Sequence, residues 1–319
     1  MPLAPKLAEL IAAKLAHAGP PSWQQPIAEV RAAFARLWVP ALTGPPQPVA
    51  RVEDHLADTA AGSIPVRVFV PATATPPPVI AYCHGGGWVK GGIAETDAFC
   101  RRLAHTTARI VVSIGYRLAP EHPFPAPLED AYHATAWAFA QAEALGGRSE
   151  GFVMAGESAG GNMATVICRL ARQRGGPEIA RQVLLQPWLD LTLSQPSLAM
   201  PETECLVPRA DLAWYADCYA GPARDRRDPL LSPLWSDDLA GLPRALIIAA
   251  EQDSLRDEAA LYAQRLGTAG VPVVHACYPG MVHGFLQMAG LVEAAQAAID
   301  QIAAFLDGPG VDGREEPAP

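Results

Sequence analysis

FVMAGESAGG, residues 152–161, joins a short apolar run to the start of a helical pattern. Gly156 and Gly160 stand two positions either side of Ser158, as a turn too tight for larger side chains requires. A strand, this turn and a helix in succession predict that Ser158 is an exposed nucleophile at the helix start. A serine that only caps the helix would produce the same local pattern, so the prediction needs support from the rest of the chain.

A second glycine-rich turn, HGGGW at residues 84–88, follows the apolar run Val79–Cys83. Acyl transfer places negative charge on a former carbonyl oxygen, which fixed N–H donors must stabilise. Glycines let the backbone approach a substrate and expose such donors. We therefore predict the donors as Gly85 and Gly86, together with Ala159 after the nucleophile. A dinucleotide-binding turn is not indicated, because no GxGxxG motif follows the first strand.

The acid of a Ser-acid-His triad follows the nucleophile along the chain in proteins with this type of turn. Asp253 meets the requirement, because it lies just after the apolar run Ala245–Ala250, at the carboxyl end of a predicted strand. Glu251 lies almost within that strand, and Asp257 lies one helical turn further on, where a capping or solvated group is more typical. Asp253 as a simple helix N-cap remains an alternative.

The base of such a triad is a histidine that comes after the acid. His283 lies in a loop that follows the apolar run Val273–Tyr278. His275 lies inside that run and is expected to be a packed histidine. We therefore predict His283 as the base, in the order that the turn around Ser158 requires.

Strand-like runs alternate with helical patterns over most of the chain, which predicts an α/β fold with a mostly parallel central sheet and helices on both faces. The predicted strands are apolar nearly throughout, as strands covered on both faces are. They are Val66–Val70, Val79–Cys83, Ile110–Ile114, Phe152–Ala155, Val183–Gln186, Ala245–Ala250 and Val273–Tyr278. The predicted helices are Thr96–Ala108, Leu128–Leu145, Asn162–Arg174, Asp257–Gly267 and Leu291–Leu306.

Two segments outside this alternation are predicted to form a helical cap. Residues 1–45 have the pattern of two amphipathic helices, and residues 191–241 contain prolines and aromatic residues but no strand-like run. The catalytic domain then comprises residues 46–190 and 242–307, followed by a disordered tail at 308–319. Long insertions in compact enzymes usually carry binding residues, although a surface excursion without function fits as well. The candidate pocket residues, each of which could equally belong to the core, are Trp88, Leu206, Val207, Trp214, Tyr215 and Phe285.

Composition narrows the function classes. The chain has 319 residues, half of them hydrophobic, a net charge of -9 and no basic stripe, which argues against a nucleic-acid partner. None of its six cysteines forms a CxxC pair, so we expect neither a metal site nor a disulfide framework, and no cofactor. Charged residues interrupt the apolar residues near the N-terminus, and no run reaches membrane-spanning length. We therefore expect a cytoplasmic protein without a membrane partner.

The chain resembles the bacterial hormone-sensitive-lipase-like (family IV) carboxylesterases of the α/β-hydrolase fold, over roughly residues 66–306 and the two N-terminal helices. The resemblance is carried by distinctive motifs, above all the run YRLAPEHPFPA. The motifs lie at residues 84–88, 116–126, 156–161, 228–233, 253–257 and 278–285.

The resemblance implies an enzyme that hydrolyses small esters of short- to medium-chain acids. It also implies the triad Ser158, Asp253 and His283, a two-part cap and a homodimer through the strand near Val273–Tyr278. The sequence departs from the family pattern at three positions. Glu157 replaces a common Asp, Ser254 replaces a common Pro, and Gln186 replaces a frequent Tyr. These positions bear on rate and substrate preference rather than on the triad.

Two other functions remain open at this point. An amidase or formamidase would use the same triad but must also protonate an amine leaving group. A non-catalytic binding protein on the same fold, like the hydrolase-like plant hormone receptors, would tend to lack the histidine. The presence of His283 in a complete set counts against the second alternative.

Overall fold

The computed structural model describes residues 2–16, 19–37, 40–59 and 62–308. The predicted tail beyond Gly308 lies outside these residues. The helices are α1 Pro5–Ala16, α2 Ile27–Leu37, α3 Pro40–Thr43, α4 Asp97–Thr107, α5 Ala126–Ala140, α6 Ala159–Arg174, α7 Arg209–Ala220, α8 Arg256–Thr268 and α9 Ala294–Asp307. The strands are β1 Arg51–Thr59, β2 Gly62–Val70, β3 Pro78–Cys83, β4 Ile110–Ile114, β5 Arg148–Glu157, β6 Arg181–Leu185, β7 Arg244–Gln252 and β8 Val273–Val282.

One eight-stranded sheet, in the order β1-β2-β4-β3-β5-β6-β7-β8, organises the chain. The strand pairs from β4 through to β8 are parallel, whereas β2 is antiparallel to both β1 and β4. This is the α/β-hydrolase architecture that the sequence indicates. β8 forms one edge of the sheet, and the dimer contact expected there stays a prediction.

Helices cover both faces of the sheet, which explains why the central strands are apolar throughout. In β4, Val112 belongs to the apolar cluster on one face and Val111 to the cluster on the other. The first cluster includes residues of α5, α6 and α8, and the second includes residues of α1, α4 and α9. Residues of the central strands therefore pack against helices on either face.

Every strand predicted from the sequence is present, and one further strand was missed. β1 carries charged residues at Glu53, Asp54 and Asp58, and Ala57 is its one buried residue. Because β1 is an edge strand with a solvated face, it lacks the apolar run by which the other strands were found.

The two segments predicted to form a cap both lie against the body of the protein. Leu7 and Ile11 of α1 are buried in the cluster beneath α4 and α9. Residues 191–241 contain α7 but no strand, as predicted, and Leu212 and Tyr219 of α7 are buried in the other cluster. Among the residues that the structure describes, no helix combines the length and the apolar character needed to cross a membrane.

Candidate active site

Ser158 occupies the turn between β5 and α6, as the sequence predicts, but it is buried, with 6% of its surface exposed, rather than the exposed residue expected. Its φ of 55° and ψ of −118° form a backbone conformation that costs about 1–3 kcal/mol and persists only under constraint. The constraint comes from its backbone hydrogen bonds. The N–H of Ser158 donates to the carbonyl oxygen of Leu185 at 2.8 Å, and the N–H of Trp188 donates to the carbonyl oxygen of Ser158 at 3.0 Å.

Gly160, two residues after Ser158, permits the close approach of the serine turn to the end of β3. A Cβ atom on Gly160 would lie 2.1 Å from the carbonyl oxygen of Cys83 and 2.5 Å from that of His84. No side chain fits in that space. The serine turn therefore packs directly against the HGGGW turn, which brings the two predicted motifs together.

His283 and Asp253 form a hydrogen-bonded pair beside the serine turn. His283 Nδ1 donates to Asp253 Oδ2 at 2.8 Å, and the other carboxylate oxygen of Asp253 accepts the N–H of Leu255 at 3.0 Å. Asp253 is buried, and the side chain of His283 is 11% exposed. The pair has the geometry in which a carboxylate fixes the tautomer and orientation of an imidazole, with Nε2 left free to exchange a proton.

The two other acidic residues near Asp253 bind elsewhere. Glu251 accepts the N–H of Gly280 at 2.8 Å, and Asp257 accepts the N–H of Ser197 at 2.8 Å. His275 lies on the edge strand β8 and is exposed, so the expectation of a packed histidine was wrong. An edge strand leaves one side without a neighbouring strand or helix to bury it.

The charges around His283 favour its protonated form. Burial lowers the pKa of His283, but the carboxylate of Asp253 raises it through both charge and the hydrogen bond, so the net pKa lies above the ordinary value. Burial also raises the pKa of Glu157, although the positive charge of His283 and hydrogen bonds from Gln287 and Tyr82 oppose this. A protonated His283 is therefore stabilised, as a base that accepts a proton during reaction must be.

The HGGGW turn presents backbone N–H groups to the same site. Among the described residues, the N–H groups of Gly85 and Gly86 donate no hydrogen bond within the protein. Gly86 has a φ of 110°, and a Cβ atom there would lie 2.1 Å from the carbonyl oxygen of Lys90. His84 supports the turn by stacking on Tyr116, with ring centroids 4.2 Å apart, and by donating from Nδ1 to the carbonyl oxygen of Gly85 at 2.7 Å.

A cavity of about 270 Å³ opens above these groups. Ser158, His283, Gly85 and Gly86 line it, and Ala159 is the first residue of α6 directly after the serine. Three of the predicted pocket residues also line it, namely Leu206, Val207 and Tyr215. Further lining residues come from α1, α2 and the chain after His283, namely Leu10, Phe34, Leu37 and Met288.

The other three predicted pocket residues do not line the cavity. Trp88 is fully buried and stacks on Tyr219, with ring centroids 4.1 Å apart. Phe285 is fully buried in the second apolar cluster, and Trp214 is a partly buried residue packed against the first, with its ring centroid 5.1 Å from that of Tyr215. The φ of 60° at Trp88 turns its side chain away from the glycine turn and into the core, which a sequence pattern does not reveal.

Lys90 is a cavity residue that the sequence analysis did not identify. Its Nζ lies 4.7 Å from the ring centroid of Phe34 and 5.0 Å from that of Tyr215. Burial lowers the pKa of Lys90 to about 8, against an opposing effect of Asp211. One signal was available in the sequence. Lys90 follows directly after an apolar, glycine-rich turn. Lysines that point into solvent are not usually found in such a place, so its position could have marked it as a cavity residue.

Comparison with known proteins agrees with this geometry. A family model for the alpha/beta hydrolase fold matches residues 80–287. Carboxylesterase NlhH of Mycobacterium tuberculosis is 40% identical over 276 residues, which are 83% of this chain and 85% of that protein. Ethyl acetate hydrolase of Pseudomonas putida is 35% identical over 241 residues, covering 74% of this chain and 76% of that one.

Solved structures show the same similarity. A hyperthermophilic esterase from the archaeon Pyrobaculum calidifontis superposes with a TM-score of 0.89 at 37% sequence identity, covering 96% of this chain and 98% of that one. Fold, motifs and relatives thus agree over most of the chain. The chain belongs to the hormone-sensitive-lipase-like carboxylesterases of the α/β-hydrolase fold, and it is a carboxylic ester hydrolase.

Proposed function

We propose that this hydrolase cleaves esters of short- to medium-chain acids through Ser158, His283 and Asp253. The observation that carries the proposal is the 2.8 Å hydrogen bond from His283 to Asp253, at a cavity that both His283 and Ser158 line. His283 accepts the hydroxyl proton of Ser158 as the serine oxygen attacks the ester carbonyl carbon. Asp253 holds the imidazole in place and stabilises its cation.

The negative charge that forms on the carbonyl oxygen is held by the N–H groups of Gly85, Gly86 and Ala159. As the tetrahedral intermediate collapses, the bond to the alcohol oxygen breaks and His283 returns the proton to that oxygen. The alcohol leaves and an acyl-enzyme remains. Water then attacks the acyl carbon and gives a proton to His283, which passes it back to Ser158 as the carboxylic acid departs. Over the whole cycle, protons are exchanged only among Ser158, His283, the substrate and water.

The size and character of the cavity support the substrate class. A volume of about 270 Å³ lies just below the roughly 300–1,000 Å³ of pockets for drug-sized ligands. Its walls are mainly apolar. A series of p-nitrophenyl esters from acetate to dodecanoate tests this, and we expect the highest kcat/KM at or below octanoate. A maximum at dodecanoate would contradict the proposed chain length. The two segments 1–45 and 191–241 act as the cap in this proposal.

The nucleophile is tested by Ser158→Ala. We expect kcat to fall by about 10⁶-fold, as it does when a triad serine is removed. A fluorophosphonate should label wild-type protein with one group per chain, at Ser158, and should not label the variant. If the variant were still labelled and still hydrolysed the ester at the wild-type rate, the assignment of Ser158 would be overturned. Matched ester and amide substrates separate this function from an amidase, for which the amide would be cleaved at a comparable rate.

The cellular location forms a smaller part of the proposal. All six cysteines are free thiols, and four of them are buried. Free thiols persist in a reducing compartment, which supports a place in the cytoplasm. Fractionation of cells that produce the protein, followed by detection of the chain, tests this. Recovery in an extracellular or periplasmic fraction would contradict it.

A further inference from the structure

Gln186 lies directly after β6, between the strand that ends at the nucleophile and the strand that leads to the acid. It is 1% exposed, and its backbone has a φ of 44°, which residues with side chains seldom adopt. Its N–H donates to the carbonyl oxygen of Ile248 in β7 at 2.6 Å. The sheet therefore fixes the point from which its side chain extends.

The side-chain amide of Gln186 reaches the loop that carries His283. Its Nε2 donates to the carbonyl oxygen of Val282 at 2.9 Å, and its Oε1 accepts the N–H of Gly284 at 2.7 Å. The carbonyl belongs to the peptide group before His283, and the N–H belongs to the peptide group after it. One amide thus holds both peptide groups of His283, which restricts both backbone rotations of that residue.

Asp253 and Gln186 fix different parts of the same residue. Asp253 accepts from the imidazole ring and limits its rotation, whereas Gln186 holds the backbone from which the ring extends. Gln186 is not among the described residues that line the cavity, so we assign it a role through His283 rather than through contact with a substrate. We propose that Gln186 is a positioning residue that sets the approach of His283 to Ser158. This inference rests on the proposed function.

The neighbouring segment adds a link to the nucleophile. The carbonyl oxygen of Leu185 accepts the N–H of Ser158, and the N–H of Trp188 donates to the carbonyl oxygen of Ser158. Residues 185–188 therefore contact both the nucleophile and, through Gln186, the histidine loop. A change in the amide of Gln186 therefore alters the distance between two groups that must exchange a proton. Misplacement by about 1 Å can cost about 10²-fold in rate.

Gln182 provides a matched control on the same strand. It is fully buried, and its Nε2 donates to the carbonyl oxygen of Pro243 at 2.9 Å. It pairs with Ala245 near the start of β7, at the end of the parallel sheet opposite to the site. Methionine at either position removes one buried amide of the same size. Only the change at Gln186 affects the histidine loop.

The experiment compares Q186M and Q182M with the wild type, using p-nitrophenyl acetate, fluorophosphonate labelling and thermal unfolding. We expect kcat of Q186M to fall by about 10²-fold with KM within threefold, and the labelling rate to fall in parallel. We expect Q182M to keep kcat within threefold while its unfolding temperature falls. This split separates a positioning role from a general loss of stability.

Q186M with kcat within threefold of wild type would overturn the proposal, and so would an equal loss of kcat in Q182M. If Q186M does not fold, Q186N carries the same test. Its amide is one methylene shorter and cannot hold both peptide groups, so we expect a similar loss of kcat. Wild-type kcat in Q186N would overturn the proposal. Absence of hydrolysis by the wild type would instead overturn the proposed function.

Discussion

The floor of the cavity and its walls are built in different ways. The floor consists of Ser158, His283 and the glycines of the turn at residues 84–88, with Asp253 bound to His283, all at the carboxyl ends of strands and held by hydrogen bonds of defined geometry. The walls consist of apolar side chains from α1, α2, the segment 191–241 and the chain after His283. Chemistry therefore depends on the sheet, whereas substrate preference depends on segments that lie against it. Changes in the two regions should have effects of different size and kind.

Among changes that leave Ser158 in place, the largest effect is expected at Asp253, the proposed acid. Asp253→Asn keeps the size of the side chain but removes the charge and replaces one acceptor oxygen by an NH₂ donor, so the side chain no longer selects one tautomer of His283. We expect kcat to fall by about 10⁴-fold, as in other serine triads with this change. Steady-state kinetics with p-nitrophenyl acetate measure it. Asp257→Asn is the control, because Asp257 serves Ser197 rather than the histidine, and it should keep kcat within threefold. Equal losses in both would contradict the assignment of the acid.

A smaller effect is expected at the HGGGW turn. An alanine Cβ at Gly86 would lie 2.1 Å from the carbonyl oxygen of Lys90, so Gly86→Ala must displace the turn and its N–H donors. Loss of one such donor costs about 10²–10³-fold in kcat. Gly175→Ala is the control, since Gly175 also has a positive φ, of 61°, but nothing lies within 4 Å of the added atom. That variant should lose about 1–2 kcal/mol of stability and keep its kcat. Equal activity in the two variants would count against the predicted donors.

The pH dependence of the floor should be visible in the wild type. His283 must be neutral to accept a proton, and its pKa lies above the ordinary value of 6.5 because Asp253 outweighs burial. Activity is thus lost as the pH falls through that raised pKa. We expect kcat/KM at pH 6.5 to be less than half of its plateau at higher pH. An acid limb with a midpoint below 6.5 would show that burial outweighs the effect of Asp253 on the pKa of His283.

The smallest effect is expected at the wall. Lys90→Met removes an ammonium group that lies over the rings of Phe34 and Tyr215 in the cavity wall. Each methylene buried against apolar surface contributes about 0.8 kcal/mol. We expect kcat/KM for hexanoate relative to acetate to rise by about three- to tenfold, with kcat for acetate nearly unchanged. Lys6→Met is the control, because Lys6 of α1 is exposed and is not among the described residues that line the cavity. No change in the ratio would mean that Lys90 does not face the acyl chain.

The floor of the cavity could be predicted from the sequence, whereas its walls could not. Ile110–Ile114 was predicted with its observed bounds, and the residues of the floor were found because each follows an apolar strand in a fixed order. Strand periodicity and the turn around Ser158 are local patterns. A local pattern is visible in one stretch of sequence, and the parallel sheet then brings the strand ends together at one edge.

The walls could not be predicted in this way. Leu10, Phe34, Leu206 and Met288 share one cavity but lie far apart along the chain, and no local pattern links them. Trp88 was a candidate for either the pocket or the core, and the structure places it in the core, with a φ of 60°. Gln186 was noted only as a departure from the family pattern. Its two contacts with the histidine loop depend on a partner nearly a hundred residues away.

Arg31 of α2 is bound to the loop that follows the glycine turn. Its guanidinium donates to the carbonyl oxygen of Val89 at 2.8 Å and to that of Ala119 at 3.0 Å, and it pairs with Glu121. The N-terminal helices are thus not a separable module. A chimaera that borrows them from a relative to change selectivity must bring in an arginine at this place together with acceptors that match it. Otherwise the graft would leave the chain after the glycine turn without these hydrogen bonds.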